Sequence, residues 1–381
     1  MTERDRFNQT QINDFIRFLR PVLILLVCAV HIPYIAGYTS ETTALGSPQT
    51  LFSVYLKDVI ARGAVPLLTV ISGYLAFYSF KKYSYKSFLL KKIQTLLIPF
   101  IVFNLITFFG LYTLATLSGN NAGNINSIQT AKDFISAIFG FNRLPINPPL
   151  YFLRDLFIIS IFAPLINIIV KKNYLLAACA LIFIYINFDT IGVYATFLDA
   201  KLGILNRSDM VIFFIFGYFF AQRNLSIPKP NNYTAALSAK LYLLITLSIC
   251  ILIVAVKPSM FSYLKYRLVI GAVTLSFIPA IIAGFIYIKD TFAAKLMLRF
   301  SVYSFTLFLT HIIFVHFFTI AKRVIGISVT NQSDLYTQIV YFSLYLVGCA
   351  IFAIIIRKSW VLTKQKTMPT ISEFKERITN S

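Results

Sequence analysis

Long apolar runs separated by short polar breaks organise this chain. Ten of them, near residues 18–38, 61–80, 93–116, 150–170, 174–188, 209–221, 237–256, 266–288, 300–321 and 336–357, carry little charge. A helix needs roughly 20 apolar residues to cross the hydrocarbon. The pattern therefore predicts an all-α fold, a polytopic integral membrane helical bundle of about ten transmembrane helices. The fifth and sixth runs are short, and are expected to be tilted, broken or shielded by neighbours, since irregular backbone at depth survives only against protein or water. No cleavable signal peptide is expected, because the apolar run after the polar stretch Met1–Asp14 lacks a small-x-small site. The sequence shows neither an internal repeat nor paired broken helices in matching halves.

Composition agrees. Of 381 residues 58% are hydrophobic and 13% charged, against about 45–50% and about 25% in soluble domains. The balance of 35 Lys and Arg over 14 Asp and Glu, a net +21, would suggest nucleic acid in a soluble protein. Here the basic residues sit in the polar breaks, and no nucleic-acid motif accompanies them. With the N-terminus inside, roughly twice as many of them fall on the inner side as on the outer, which puts both termini in the cytoplasm. Residues 1–357 then form the membrane domain and 358–381 a basic cytoplasmic tail. The long loop 117–149 faces outward, and its run Gly119-Asn120-Asn121-Ala122-Gly123-Asn124 suits either a glycan-facing surface or simple slack. Cys28, Cys179, Cys250 and Cys349 each lie inside an apolar run and read as packing residues, not a disulfide framework or a metal site. Without a Walker A loop, a dinucleotide glycine fingerprint, HExxH or CxxC, no tightly bound cofactor is expected.

The candidate chemistry lies in polar residues at depth, which are costly there and mark function or a necessary polar contact. All three histidines, His31, His311 and His316, are of this kind. Arg20 precedes His31 by eleven positions, which on a helix returns to within about 20° of the same face roughly 16 Å away. Arg20 then stands at the cytoplasmic mouth and His31 past the middle of the membrane, with Pro21 and Pro33 as possible kinks. Asp58 and Arg62 are placed to pair across one turn. Val65-Pro66 through Ser72-Gly73-Tyr74 supplies small residues for close helix approach. Lys81, Lys82, Lys86, Lys91 and Lys92 form a cluster suited to a donor's phosphates or to topology charge, and Arg17 joins this donor-side set. Arg154 and Asp155, about 100° apart on a helix, are expected to seek partners elsewhere. His311 and His316 lie about 140° apart and do not chelate one metal together.

Four segments together resemble the acyltransferase 3 family of membrane acyltransferases that modify bacterial surface glycans. They are Arg20-x10-His31, Val65-Pro66…Ile71-Ser72-Gly73-Tyr74, Tyr151-Phe152-Leu153-Arg154-Asp155 and Ser304…Leu309-Thr310-His311. The resemblance implies a bacterial cytoplasmic membrane, about ten helices, a cytoplasmic acyl-CoA donor, usually acetyl-CoA, and a hydroxyl acceptor on a glycan or lipid-linked saccharide. Arg20 and His31 match its arginine-ten-histidine motif, whose histidine is regarded as essential. Lys91-Lys92-Ile93-Gln94-Thr95 departs from the arginines three apart found in many members. Some relatives append an extracytoplasmic hydrolase-like domain, for which the chain up to Ser381 leaves no room, so the acceptor is expected to meet the membrane domain itself. On this reading His31 serves as general base or carries the acyl group covalently. Asp58 or Asp155 orients it, Arg154 or Arg62 meets the oxyanion, and Ser72 and His311 join the substrate-binding set. The same intramembrane charges would also serve a proton-coupled transporter or flippase of a sugar-lipid or organic anion.

Overall fold

The computed structural model describes residues 9–32, 51–52, 54–118, 128–141, 143–172, 205, 207, 209–223, 232–255, 263–325 and 335–367. Among the described residues every regular element is helical. In chain order these are α1 (Gln9–Val30), α2 (Ala64–Lys82), α3 (Tyr85–Lys92), α4 (Ile98–Ser118), α5 (Ala131–Phe139), α6 (Tyr151–Ile161) and α7 (Ala163–Lys171). There follow α8 (Asp209–Gln222), α9 (Asn232–Ala255), α10 (Tyr263–Ser276), α11 (Ile278–Ile288), α12 (Phe292–Phe300), α13 (Ser304–Ile325) and α14 (Leu335–Thr367). Among the described residues, five helices are long and apolar enough to cross a membrane, or up to seven when each bent pair counts as one span. The predicted fifth run, residues 174–188, lies outside the described residues, as do Cys179 and the Gly/Asn run of the outer loop.

Burial sorts the helices into layers. The span containing α2 is 67% buried over its most apolar window, against 17%, 11% and 22% for those containing α4, α9 and α14. Those outer helices turn Phe109, Leu244 and Leu344 away from the protein, as lipid-facing surfaces require. At the centre, α1 packs Phe15, Leu19, Leu23, Val27 and Cys28 into the main core and touches α2, α11, α12, α13 and α14. It runs unbroken through Pro21, starts before the predicted run and ends at Val30, so His31 caps the helix instead of lying within a span.

The sixth run meets its expectation. Helix α8 has 14 residues, about 21 Å at 1.5 Å per residue, and its length is shielded by protein, with Met210, Phe214, Ile215 and Tyr218 buried. It lies against α2 with backbones nearly touching. A Cβ on Gly217 would overlap the Val70 carbonyl, and one on Gly73 the Phe214 carbonyl.

Two expectations are corrected. The fourth and eighth runs are bent, α6 to α7 by 62° and α10 to α11 by 53°. Pro164 and Pro279 each stand in the first turn after the break, where a missing N–H and a ring that clashes with the carbonyl four residues back end a straight helix. Interrupted helices thus occur where none were expected. The outer loop is not all slack, because α5 forms within it. Thr130 and Asp133 make a reciprocal capping box and Gly140, at φ 69°, closes the helix in the left-handed region. Cys28 of α1 and Cys349 of α14 lie close together as free, fully buried thiols of the main core, in agreement with a packing role.

Candidate active site

The end of α1 gathers the polar residues of the core. Before α2 the chain forms a π turn, Tyr55–Ile60, and a 3-10 turn, Ala61–Gly63, that lead without a break into the helix. Widened turns of this kind are rare and concentrate at functional sites. This one carries Lys57 and Asp58, both buried. Lys57 Nζ donates to the Ile32 carbonyl at 3.4 Å. That carbonyl belongs to the end of α1, where backbone acceptors lack helical partners and the dipole favours a cation. Arg62 Nε and Nη2 donate to Asp58 Oδ1 at 3.4 and 3.3 Å, the predicted pair. The charges of Arg62 and Lys57 both bear on His31.

Facing His31 from α13 is His311, with ring centroids 5.5 Å apart and planes at 48°. His311 is fully buried, and its Nδ1 donates to the Phe308 carbonyl at 2.8 Å. Phe308 in turn packs edge-on against Phe152 of α6, at 5.6 Å between centroids. His316 is half-buried further along α13. Among the described residues no group of three or more His, Cys, Asp or Glu is placed to hold a metal ion.

Arg154 and Asp155 lie in a second cluster. They do pair with each other, Nη1 to Oδ1 at 3.3 Å, which corrects the expectation from their angular spacing. The long arginine side chain swings back around the helix to reach its neighbour. Asp155 Oδ2 also accepts from the Arg207 backbone N–H at 2.9 Å, the partner on another segment that was expected. Arg207 donates to Asp209 at 2.9 Å through Nε, again through Nη2, and to the Tyr151 hydroxyl at 3.1 Å. Two cations and two anions are therefore buried together, tying α6 to the start of α8. Asp209→Asn is expected to cost about 3–5 kcal/mol by leaving Arg207 buried without its charge partner. Arg17→Ala, which breaks only the exposed pair with Asp14, should cost about 0–1 kcal/mol. Thermal unfolding in detergent compares the two, and equal melting temperatures would remove the structural role of the cluster.

The remaining candidates stand apart. Arg20 is half-buried on α1. Ser72 donates to the Leu68 carbonyl at 2.7 Å, within its own helix. At the α2–α3 turn, Lys91 Nζ lies 3.9 Å from the centroid of the Tyr83 ring, and Lys92 Nζ 5.4 Å from that of Phe88. Tyr83 is half-buried, and its hydrogen bond to Lys91, with the nearby charge of Lys82, draws its hydroxyl pKa below the usual phenol value. The sequence reading missed Lys57, Arg207 and Asp209. For Lys57 the signal is its place beside Asp58 at a span entrance. Opposite charges at the mouth of so short an apolar run, Arg207 and Asp209, are another.

An apolar helical bundle with two imidazoles and two cations gathered at the end of its central helix defines a multi-pass membrane protein with a candidate reaction centre. The profile of the acyltransferase domain family, acyltransferase 3, matches residues 13–358, and the chain belongs to that family. It is 27% identical over 228 residues to the succinoglycan biosynthesis protein ExoH of Rhizobium meliloti (strain 1021), covering 59% of this chain and 58% of that protein. The match thus spans under two thirds of the relative's length. No solved structure matches.

Proposed function

We propose that the chain is an O-acyltransferase of the bacterial cytoplasmic (inner) membrane, moving an acyl group, most simply acetyl, from cytoplasmic acyl-CoA to a hydroxyl of a cell-surface or lipid-linked glycan. The observation that carries the reading is His31 at the end of α1, against His311 and within reach of the Lys57 and Arg62 charges. The relative's printed name, a succinoglycan biosynthesis protein, supports a glycan acceptor. In this reading about ten helices span the membrane with both termini cytoplasmic. Residues 1–357 are the catalytic unit and 358–381 a basic tail, of which α14 forms the part up to Thr367.

His31 takes the proton of the acceptor hydroxyl as the oxygen attacks the thioester carbonyl. Lys57 and Arg62, the latter held by Asp58, lend positive charge to the tetrahedral oxyanion. As the carbon–sulfur bond breaks, the proton returns from His31 to the leaving thiolate. Arg20, on α1 eleven residues before His31, meets the donor's phosphates at the cytoplasmic mouth with Arg17, Lys91 and Lys92. Arg154 and Asp155 act at one remove, fixing the segment before α8.

The test uses purified protein in proteoliposomes with radiolabelled acetyl-CoA and a glycan extract. Label is expected to pass to the glycan, and Arg20→Ala is expected to raise the KM for acetyl-CoA roughly 10- to 100-fold, the loss of one charge-assisted hydrogen bond. A wild-type KM would remove Arg20 from the donor mouth. Interrupted helices also occur in transporters, so glycan uptake into the vesicles without acetyl consumption would overturn the enzyme reading.

A further inference from the structure

We infer that His311 is the positioning residue of His31, its bare Nε2 accepting a hydrogen bond from the His31 ring and thereby fixing which nitrogen of His31 is the base. The inference rests on the general-base reading of His31. Its own ground is the chemistry of one buried ring. A carbonyl oxygen only accepts, so the 2.8 Å contact to Phe308 places the ring proton of His311 on Nδ1. The Nε2 of the neutral ring is then a lone pair. It has no hydrogen-bond partner among the described residues, and the residue is fully buried. Such groups are rare in folded proteins because an unmet buried acceptor is costly.

The neighbouring ring is His31, at 5.5 Å between centroids. Two imidazoles joined by an N–H···N bond have centres a little over about 5 Å apart, so a small rotation of the half-buried His31 completes the bond. The two carboxylates that the sequence offers to orient His31 are otherwise engaged, Asp58 with Arg62 and Asp155, in the second cluster, with Arg154 and the Arg207 backbone. With one His31 nitrogen committed as a donor to His311, the other is left unprotonated for the acceptor hydroxyl. When His31 takes that proton, the N–H···N bond strengthens as the donor becomes charged. His311 keeps its Nδ1 proton throughout and neither gains nor loses one.

The test separates an acceptor from a space-filler. His311→Phe keeps the volume and removes the lone pair, whereas His311→Gln keeps an acceptor oxygen. His311→Phe is expected to lower kcat about 100-fold with the KM for acetyl-CoA within about threefold, while His311→Gln stays within about tenfold of wild type. A packing role predicts the reverse order, with phenylalanine tolerated better, and that order would overturn the inference. So would a glutamine variant no better than phenylalanine. Activity retained in His31→Ala would overturn the general-base reading itself, whereas an inactive His31→Ala beside a fully active His311→Phe overturns only the present inference. If neither His311 variant folds, wild-type protein decides. The chain has three histidines, so 15N-histidine labelling in nanodiscs resolves three rings. The expected spectrum has His311 protonated at Nδ1 and coupled through Nε2 to a His31 N–H; a proton carried on His311 Nε2 would refute it.

Discussion

Replacing His31 by alanine is expected to slow acyl transfer about 10²- to 10⁴-fold, the span that one general base contributes, in a protein that still folds. Folding survives because the core contacts of α1 come from Leu23, Val27 and Cys28 below it, whereas His31 lies beyond the last helical turn and is only half-buried. Donor binding should survive too, since Arg20 and the lysines of the α2–α3 turn are untouched. The measurement is transfer of radiolabelled acetyl to glycan at saturating acetyl-CoA, beside the melting temperature of the same preparation. A folded His31→Ala protein with wild-type turnover would end the general-base assignment. Acid quench during turnover distinguishes the covalent route, in which label accumulates on the wild-type protein and disappears from it in the variant.

The legibility of this site in the sequence follows a physical rule. A titratable side chain inside an apolar run is conspicuous without a structure, because the bilayer makes it costly; His31, His311, Arg154 and Asp155 were found that way. Pairing within one helix was legible as well, and Asp58 with Arg62 is an example. Contacts that depend on which helices become neighbours were not. The face of His311 against His31 joins α1 to α13, and the thiols of Cys28 and Cys349 meet across α1 and α14. Neither follows from spacing, because helix order around a bundle is set by packing between surfaces of similar apolarity. Lys57 was hidden for another reason. Its meaning comes from the frayed carbonyls at the end of α1, and their position required knowing that the helix stops at Val30 instead of running on toward residue 38. The bends at Pro164 and Pro279 were present in the sequence as prolines, but hydropathy averages over a window and does not register them.

Gly217→Ala is expected to abolish recovery of folded protein, an effect beyond the usual range for a single methyl group. Adding a methylene to a packed core typically costs about 1–3 kcal/mol, because neighbouring side chains shift or change rotamer. Here the obstacle has no rotamer. The new Cβ would overlap the Val70 carbonyl and press on the Tyr74 nitrogen, both backbone atoms of α2. Relief requires the two helix axes to separate, and the reciprocal overlap at Gly73 with the Phe214 backbone shows that the approach is close along the whole crossing. Separating α8 from α2 would uncover Phe214, Ile215 and Tyr218, all buried, and would pull Asp209 and Arg207 from the cluster that ties α8 to α6. The control is Gly110→Ala on α4, where a Cβ meets nothing within 4 Å. There the exchange should stabilise the helix by about 0.5–1 kcal/mol, since alanine has less backbone freedom to lose. Yield and monodispersity after detergent extraction compare the pair. If Gly217→Ala behaves like Gly110→Ala, the α2–α8 contact is looser than these backbones place it, and the shielding that lets a 14-residue helix sit at membrane depth must come from other neighbours.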